Sequence, residues 1–293
     1  MKGDTMFRTI ILLLTLFLYT HAQEKVIINY PLTSNKAQRD NYHLSLLKFL
    51  LEKVNIDYTI KPTKTIYTQA RAIKELKKGD KVNIFWMGTS PQLETELIPI
   101  RFPMYRGLVG HRIFIINKND QKMFNHVKNL VQLQKFKGIQ GIGWSDVAIL
   151  ESAGLKQHTA KYENIFKMIN RGGRVGYFSR SINEAYEEIE VRDTQLKNLT
   201  VEKNIVLVYP FAMFFFVSPK HEYLAKKLNE AFLKSYKDGS FLEFFYKHPK
   251  IKLSIEKSKL NNRKRIEIPN PFLTPQTANI NSNYWHGKFI KEQ

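Results

Sequence analysis

Tyr30, Trp86, Trp144 and Tyr177 each fall close to the end of a strand-like run. An aromatic ring at such a place offers a flat face to a ring, a sugar or an apolar chain. Arg106 and Arg180 lie at similar boundaries, where a guanidinium can meet an anionic group or stack on an aromatic face. Each has a plainer reading beside this one. Trp86 suits core packing as well as ligand contact, Arg106 can simply bridge the two lobes, and Tyr30 and Trp144 stand evenly between the two roles. Acid–base chemistry needs a carboxylate of shifted pKa within reach of a substrate, and Asp146 and Glu184 are the two that fall near strand ends. No paired-carboxylate or nucleophile motif accompanies them, and Glu184 also suits the first turn of a helix. No catalytic residue is assigned on this basis. The eight histidines, at 21, 43, 111, 126, 158, 221, 248 and 286, show no His-x-x-x-His spacing, and there is no cysteine. Neither a metal nor a cofactor is expected.

The elements that would position these residues alternate in type. Residues 25–31 and 56–62 read as strands, residues 41–54 carry a helical apolar face, 72–80 read as a helix stopped by Gly79, and 82–88 read as a third strand. A strand-like run at 106–120 resembles a crossover. A second set follows: a helix near 121–134, a strand at 138–144, helices from Asp146 and at 162–170, a strand at 174–179 and a helix at 181–190. The apolar run 205–217 reads as one buried strand despite Pro210, and 221–246 as a long helix broken at Asp238-Gly239. From about Leu260 the chain, with Pro269, Pro271 and Pro275, reads as extended packing over the surface. Alternating strands and helices predict an α/β fold with parallel pairing. Half a domain, a complete domain and a return predict two lobes joined by two crossover strands. The expected division is 23–107 plus 210–293 for the first lobe and 108–209 for the second, with the cleft near the carboxyl ends of the strands and a hinge at about 107–110 and 208–212.

The chain has 293 residues, 43% hydrophobic and 25% charged, which excludes general disorder and suffices for two modest cores. Arg8, the apolar run 10–19 and Thr20-His21-Ala22 form the pattern of a cleavable signal peptide at 1–22, with Met1 or Met6 as the start. The run is too short to span a bilayer. Without a cysteine the cleavage site cannot carry a lipid, so the periplasm is the expected location. Lys and Arg outnumber Asp and Glu 46 to 26, a net charge of +20. Such a field attracts anionic ligands or envelope polymers, or serves solubility alone. No nucleic-acid-binding motif is visible, and the densest basic run, 247–265, reads as solvated surface.

Four stretches carry a resemblance: WMGTS at 86–90 followed by FPMYRGLVG at 102–110, GGRVGYFSRS at 172–181, and RIEIPNPFLTP at 265–275. Together they make the chain similar to bacterial solute-binding protein family 3, the amino-acid-binding type II periplasmic proteins of ABC transporters and their sensor relatives. The resemblance implies the type II periplasmic-binding-protein fold. It also implies that Gly88 is the strand-end glycine and Ser90 the hydroxyl that meets a ligand carboxylate. The arginine that would complete that clamp falls on Thr95. In the second lobe the family's helix-start turn corresponds to Trp144-Ser145-Asp146, where Ser145 or Asp146 can cap the helix. The carboxylate that meets the ligand's ammonium corresponds to Ser181, beside Arg180, and the aspartate of the Gly-Arg-Val-Asp motif is Gly176.

The resemblance therefore implies an exported protein that closes on a small solute other than an ordinary α-amino acid, anionic or aromatic in character. It would present that solute to a membrane partner, an ABC permease or a sensor kinase or cyclase. A monomer is expected. Two alternatives stand beside it: a degenerate binding protein that acts as an interaction module with its cleft filled by its own aromatics, and a lyase or dehydratase-like enzyme on the same fold.

Overall fold

The computed structural model describes residues 25–33 and 42–286, so the expected signal segment lies outside the described residues. In the first part of the chain β1 (Val26–Leu32) pairs in parallel with β2 (Tyr58–Ile66); α1 (Tyr42–Lys53) shares a core with β1, while Ala72 and Leu76 of α2 (Gln69–Lys78) pack with Val82, Phe85 and Met87. Leu46, Leu47, Leu50 and Leu51 of α1 are all fully buried, the adjacent-turn spacing that one helical face gives. Thr68 caps α2 by accepting a bond from Arg71 N–H, and Gly79 ends it at φ 76°.

β3 (Ile84–Gly88), α3 (Pro91–Glu96) and β4 (Ile98–Ile100) follow. The alternation predicts β3 as a third parallel strand, yet its ladder partner is an antiparallel strand from much later in the chain, β11 (Met213–Val217). Asn83 completes the join to β1 instead: its backbone and side chain bond Asn29 and Ile27.

The second set comprises β5 (His111–Asn117), α4 (Gln121–Phe124), α5 (Leu130–Leu133), β6 (Gly138–Gly141), α6 (Asp146–Ser152), β7 (Gln157–Ala160), α7 (Tyr162–Arg171), β8 (Tyr177–Ser181), α8 (Ala185–Glu190), β9 (Leu199–Val201) and β10 (Ile205–Val208). Then come β11 (Met213–Val217), α9 (Glu222–Lys237), α10 (Ser240–Lys247), α11 (Pro249–Ser258), β12 (Lys264–Glu267) and α12 (Pro275–Ala278). The larger sheet has seven strands in the order β12-β10-β5-β8-β6-β7, with β9 beside β5, and it is mixed rather than parallel.

The run 205–217 is two strands in two sheets. β10 belongs to the seven-stranded sheet and β11 lies between β3 and β4. Pro210, which has no N–H to give a ladder, stands in the crossing between them. The two crossovers touch: Tyr209 N–H donates to Gly110 O at 3.2 Å, and a side chain at Gly110 would meet the Tyr209 carbonyl at 2.0 Å. Only glycine permits that approach.

The tail from Lys264 joins the larger sheet. β12 pairs in parallel with β10 across four residues, Ile205↔Lys264 to Val208↔Glu267, and so closes the edge of the other lobe's sheet. The basic run 247–265 is likewise not loose surface, since it contains α11, whose Ile251 is fully buried. Among the described residues no helix is long and apolar enough to cross a membrane.

Candidate functional site

A groove of about 420 Å³ opens between Ser45 of α1 and α11 on one side and the end of β8 with α8 on the other. Asn183, Glu187, His248, Lys250 and Leu253 are among its walls. The turn after β8 places Ile182 and Asn183 there because Ser181 Oγ accepts from both the backbone and the side-chain N–H of Asn183, at 3.2 and 3.1 Å. His248 caps α11 by accepting from Lys250 N–H at 3.2 Å, and Pro249 occupies the first helical position, where no N–H is needed. Charges of opposite sign meet along the wall. Lys250 lies 2.5 Å from Glu187, and Lys257 pairs with Glu190. The charged groups of the wall therefore pair and leave it locally neutral rather than strongly basic, while most of the lining, with Ile182, Tyr186, Pro249 and Leu253, is apolar.

None of the ten residues singled out from the sequence lines this groove. Tyr30 and Trp86 are part of an aromatic stack instead. Their rings are 5.4 Å apart, and His43 lies flat on Trp86 at 5.1 Å with 11° between planes. His43 Nε2 is also 3.1 Å from the Tyr105 hydroxyl. Burial, helped by the charge of Lys250, lowers the His43 pKa to about 3. Gly88 does end β3, but Phe211 covers it: a side chain there would come within 2.3 Å of the ring. Ser90 caps α3 by accepting from Leu93 N–H at 3.3 Å, and Thr95 Oγ1 bonds the Pro91 carbonyl.

Arg106 is committed to partners on α10 and the tail. Its guanidinium donates to the Tyr246 hydroxyl at 2.6 Å and to the carbonyls of Asn283 and Trp285 at 3.1 and 2.8 Å. Its backbone sits at φ 50°, a left-handed conformation that costs a non-glycine residue roughly 1 kcal/mol or more.

Arg180 lies against Trp144 and Phe178, 4.8 and 5.0 Å from the ring centroids, and grips Glu188 with two bonds of 2.8 and 2.7 Å. Glu184 adds a third contact at 2.8 Å. Burial pushes the Glu188 carboxyl up, but the charge and hydrogen bond of Arg180, with the Tyr162 hydroxyl and the charge of Arg192, together hold it below its usual value. Tyr177 does not face a cleft at all; it is fully buried between Phe114 and Phe124 because its position in β8 points into the core. Ser145 precedes α6 without a capping bond from its side chain, and Ser181 is committed to Asn183.

Asp146 occupies the anion-favouring start of α6 itself. Arg112 donates to its Oδ1 at 2.5 Å, the Tyr209 hydroxyl donates to the same oxygen, and Arg112 also bonds the Val109 carbonyl. A carboxylate of the chain itself thus fills the anion-favouring end of this helix. Glu94 repeats the arrangement elsewhere, accepting from Thr89, Thr274 and Thr277 at 2.6, 2.8 and 2.7 Å and pairing with Arg101. Strand-end position, the signal used to choose candidates, could have reached Asn183, two residues past Ser181. Nothing in the sequence pointed to α11, since its lysines read as surface.

No protein-family model matches the sequence, and no curated protein matches it. Solved structures do match in fold. An ancestral arginine-binding protein bound to arginine aligns with 77% of this chain and 98% of its own at 14% identity and a TM-score of 0.55. The ancestral amino acid-binding protein AncCDT-1, a precursor of cyclohexadienyl dehydratase, covers 76% and 94% at 14% identity and 0.53. The GluR0 ligand-binding core from Nostoc punctiforme in complex with L-glutamate covers 77% and 99% at 11% identity and 0.51. The fold is that of the type II periplasmic binding proteins, two α/β lobes with a cleft between them.

Proposed function

We propose that the protein is an exported solute-binding protein of the cell envelope. It takes a small polar solute in the groove between α1, α8 and α11 and presents it to a membrane partner, an ABC permease or a sensor kinase or cyclase. The groove carries this reading: it lies between the lobes of a fold whose solved relatives include proteins with bound arginine and glutamate, and its volume suits a small metabolite. The ligand class departs from the anionic or aromatic solute that the resemblance implied. Arg106 and Arg180 are turned to partners within the chain, whereas the groove wall alternates Glu187 and Glu190 with Lys250 and Lys257. Paired charges of that kind favour a zwitterionic or uncharged polar solute over a net anion.

Binding rather than catalysis is favoured because Asp146 and Glu184, the carboxylates considered for acid–base work, are held by Arg112 and Arg180. The test is a thermal-shift panel of zwitterions, sugars, organic acids and aromatic metabolites, repeated on Ser45→Phe, which fills the groove. Binding to the native state raises the midpoint by mass action. A shift given by a polar solute and lost in Ser45→Phe supports the reading; a shift that survives the substitution refutes the groove.

A second reading has its own support. Phe211 covers Gly88, the strand-end glycine of the resemblance, and Tyr30 and Trp86, the aromatics that could have met a ligand, stack with each other and with His43. A degenerate binding protein that serves as a periplasmic interaction module would look this way, and silence across the panel favours it.

A further inference from the structure

Beyond the two crossovers near residues 106–110 and 209–212, the chain passes between the lobes twice more, and both passages lie in the segment after α10. The outward passage begins with α11. Its Lys250 and Lys257 pair with Glu187 and Glu190 of α8, and the Tyr186 hydroxyl donates to the Lys257 carbonyl at 2.8 Å. Arg263 then enters the second lobe with its side chain 4% exposed. It donates to the carbonyls of Ser258, Glu202 and Ile205 at 2.7, 2.5 and 3.0 Å and faces the fully buried Glu202 carboxylate at 3.6 Å. β12 follows immediately, in register with β10.

The return passage is short. Ile268 N–H bonds the Val208 carbonyl, and Asn270 Nδ2 bonds the Pro210 carbonyl at 2.9 Å, so the tail runs along the second crossover. Thr274 and Thr277 next reach Glu94 of α3. Ile280 and Trp285 are buried with Leu93, Leu97, Phe214 and Phe216 in the first lobe's smaller core. Arg106, at the first crossover, holds the carbonyls of Asn283 and Trp285, and its own carbonyl accepts from His286 N–H at 2.6 Å. Pro269 and Pro271 stiffen the link between the two anchorages, which leaves it little slack.

We propose that residues 249–286 form a strap that fixes the two lobes relative to one another, so that the lobes cannot swing about the crossovers until the strap leaves β10 or the Glu94–Arg106 seat. A hinge opening would have to break a parallel strand pairing or pull Trp285 from its core, because the middle of the strap, β12, is anchored to the second lobe and its far end to the first. Ligand access would then follow strap release rather than free opening. This does not depend on which solute binds, or on whether one does.

The absence of cysteine makes the test direct, since two introduced cysteines carry spin labels at defined places. Lys74→Cys on α2 and Lys167→Cys on α7 put one exposed label on each lobe. The intact chain is expected to give a single narrow distance. Lys250→Ala, Lys257→Ala and Arg263→Ala together, which remove the outward anchorage, are expected to add a second, longer distance. A chain with a specific protease site inserted after Pro271, folded intact and then cut, gives the same readout should the triple variant fail to fold. A broad distribution in the intact chain, or an unchanged narrow one after cutting, overturns the proposal.

Discussion

The ring of Phe211 lies across the α-carbon of Gly88, so close that a side chain at Gly88 would come within 2.3 Å of it. A residue of the second crossover thereby seals the end of β3. Phe211→Ala should remove this seal and cost roughly 3–5 kcal/mol, the usual range for truncating a buried phenylalanine. Urea unfolding measures the cost. Gly88→Ala should be destabilising on its own and nearly harmless in the Phe211→Ala background, because the two changes share one contact.

The buried pair of Arg112 and Asp146 fixes the base of the crossovers. Removing one partner leaves an uncompensated charge, so Asp146→Ala should cost about 3–5 kcal/mol. Replacing both, as Arg112→Met with Asp146→Leu, should cost clearly less than the sum of the single changes. A double-mutant cycle that proves additive would show that the pair does not act as a unit.

Acid should weaken the fold through two histidines. Burial and Lys250 lower the pKa of His43 from 6.5 to about 3. Burial, then Arg265 and His286, lower that of His111 to about 3 against a smaller opposing backbone bond from Gly107. Between these values the unfolded chain takes up protons that the folded chain refuses. Stability contributed by the neutral rings is therefore full above pH 6.5 and falls as the pH drops towards 3, by about 1.4 kcal/mol per pH unit for each. Urea midpoints from pH 7 to 5 should fall less steeply in His43→Gln and His111→Gln; an unchanged slope would contradict this account.

Arg106 joins the first crossover to the tail at the expense of a left-handed backbone, φ 50°. Arg106→Ala keeps the strain and loses the bonds to Tyr246, Asn283 and Trp285. A loss of roughly 2 kcal/mol is expected for bonds from a charged donor, with faster amide exchange at 283–286 and a red shift of Trp285 fluorescence. Protection at those amides that matches the unsubstituted chain would show the tail to be held by its apolar contacts alone.

Local pattern made much of this fold legible. The leucines of α1, Gly79 after α2 and the break at Asp238-Gly239 are signals that adjacent residues carry and the structure keeps. The partner of β3 and the destination of β12 are long-range choices, and no neighbouring residue encodes them. At the site, strand-end position found Arg180, Ser181 and Trp144 but not their commitments. Glu188, which neutralises Arg180, is in the first turn of the next helix, and Phe211, which covers Gly88, is far away in sequence. α11 escaped because its lysines look solvated while their ion pairs reach across to α8.

The most direct test of the groove follows methyl resonances of Ile182 and Leu253, which line it, against Ile139 in the second-lobe core, during titration with polar solutes from the thermal-shift panel. The account predicts saturable shifts at Ile182 and Leu253 with Ile139 still, abolished by Ser45→Phe. Shifts centred elsewhere, or none with any solute, would contradict a solute site between α1, α8 and α11.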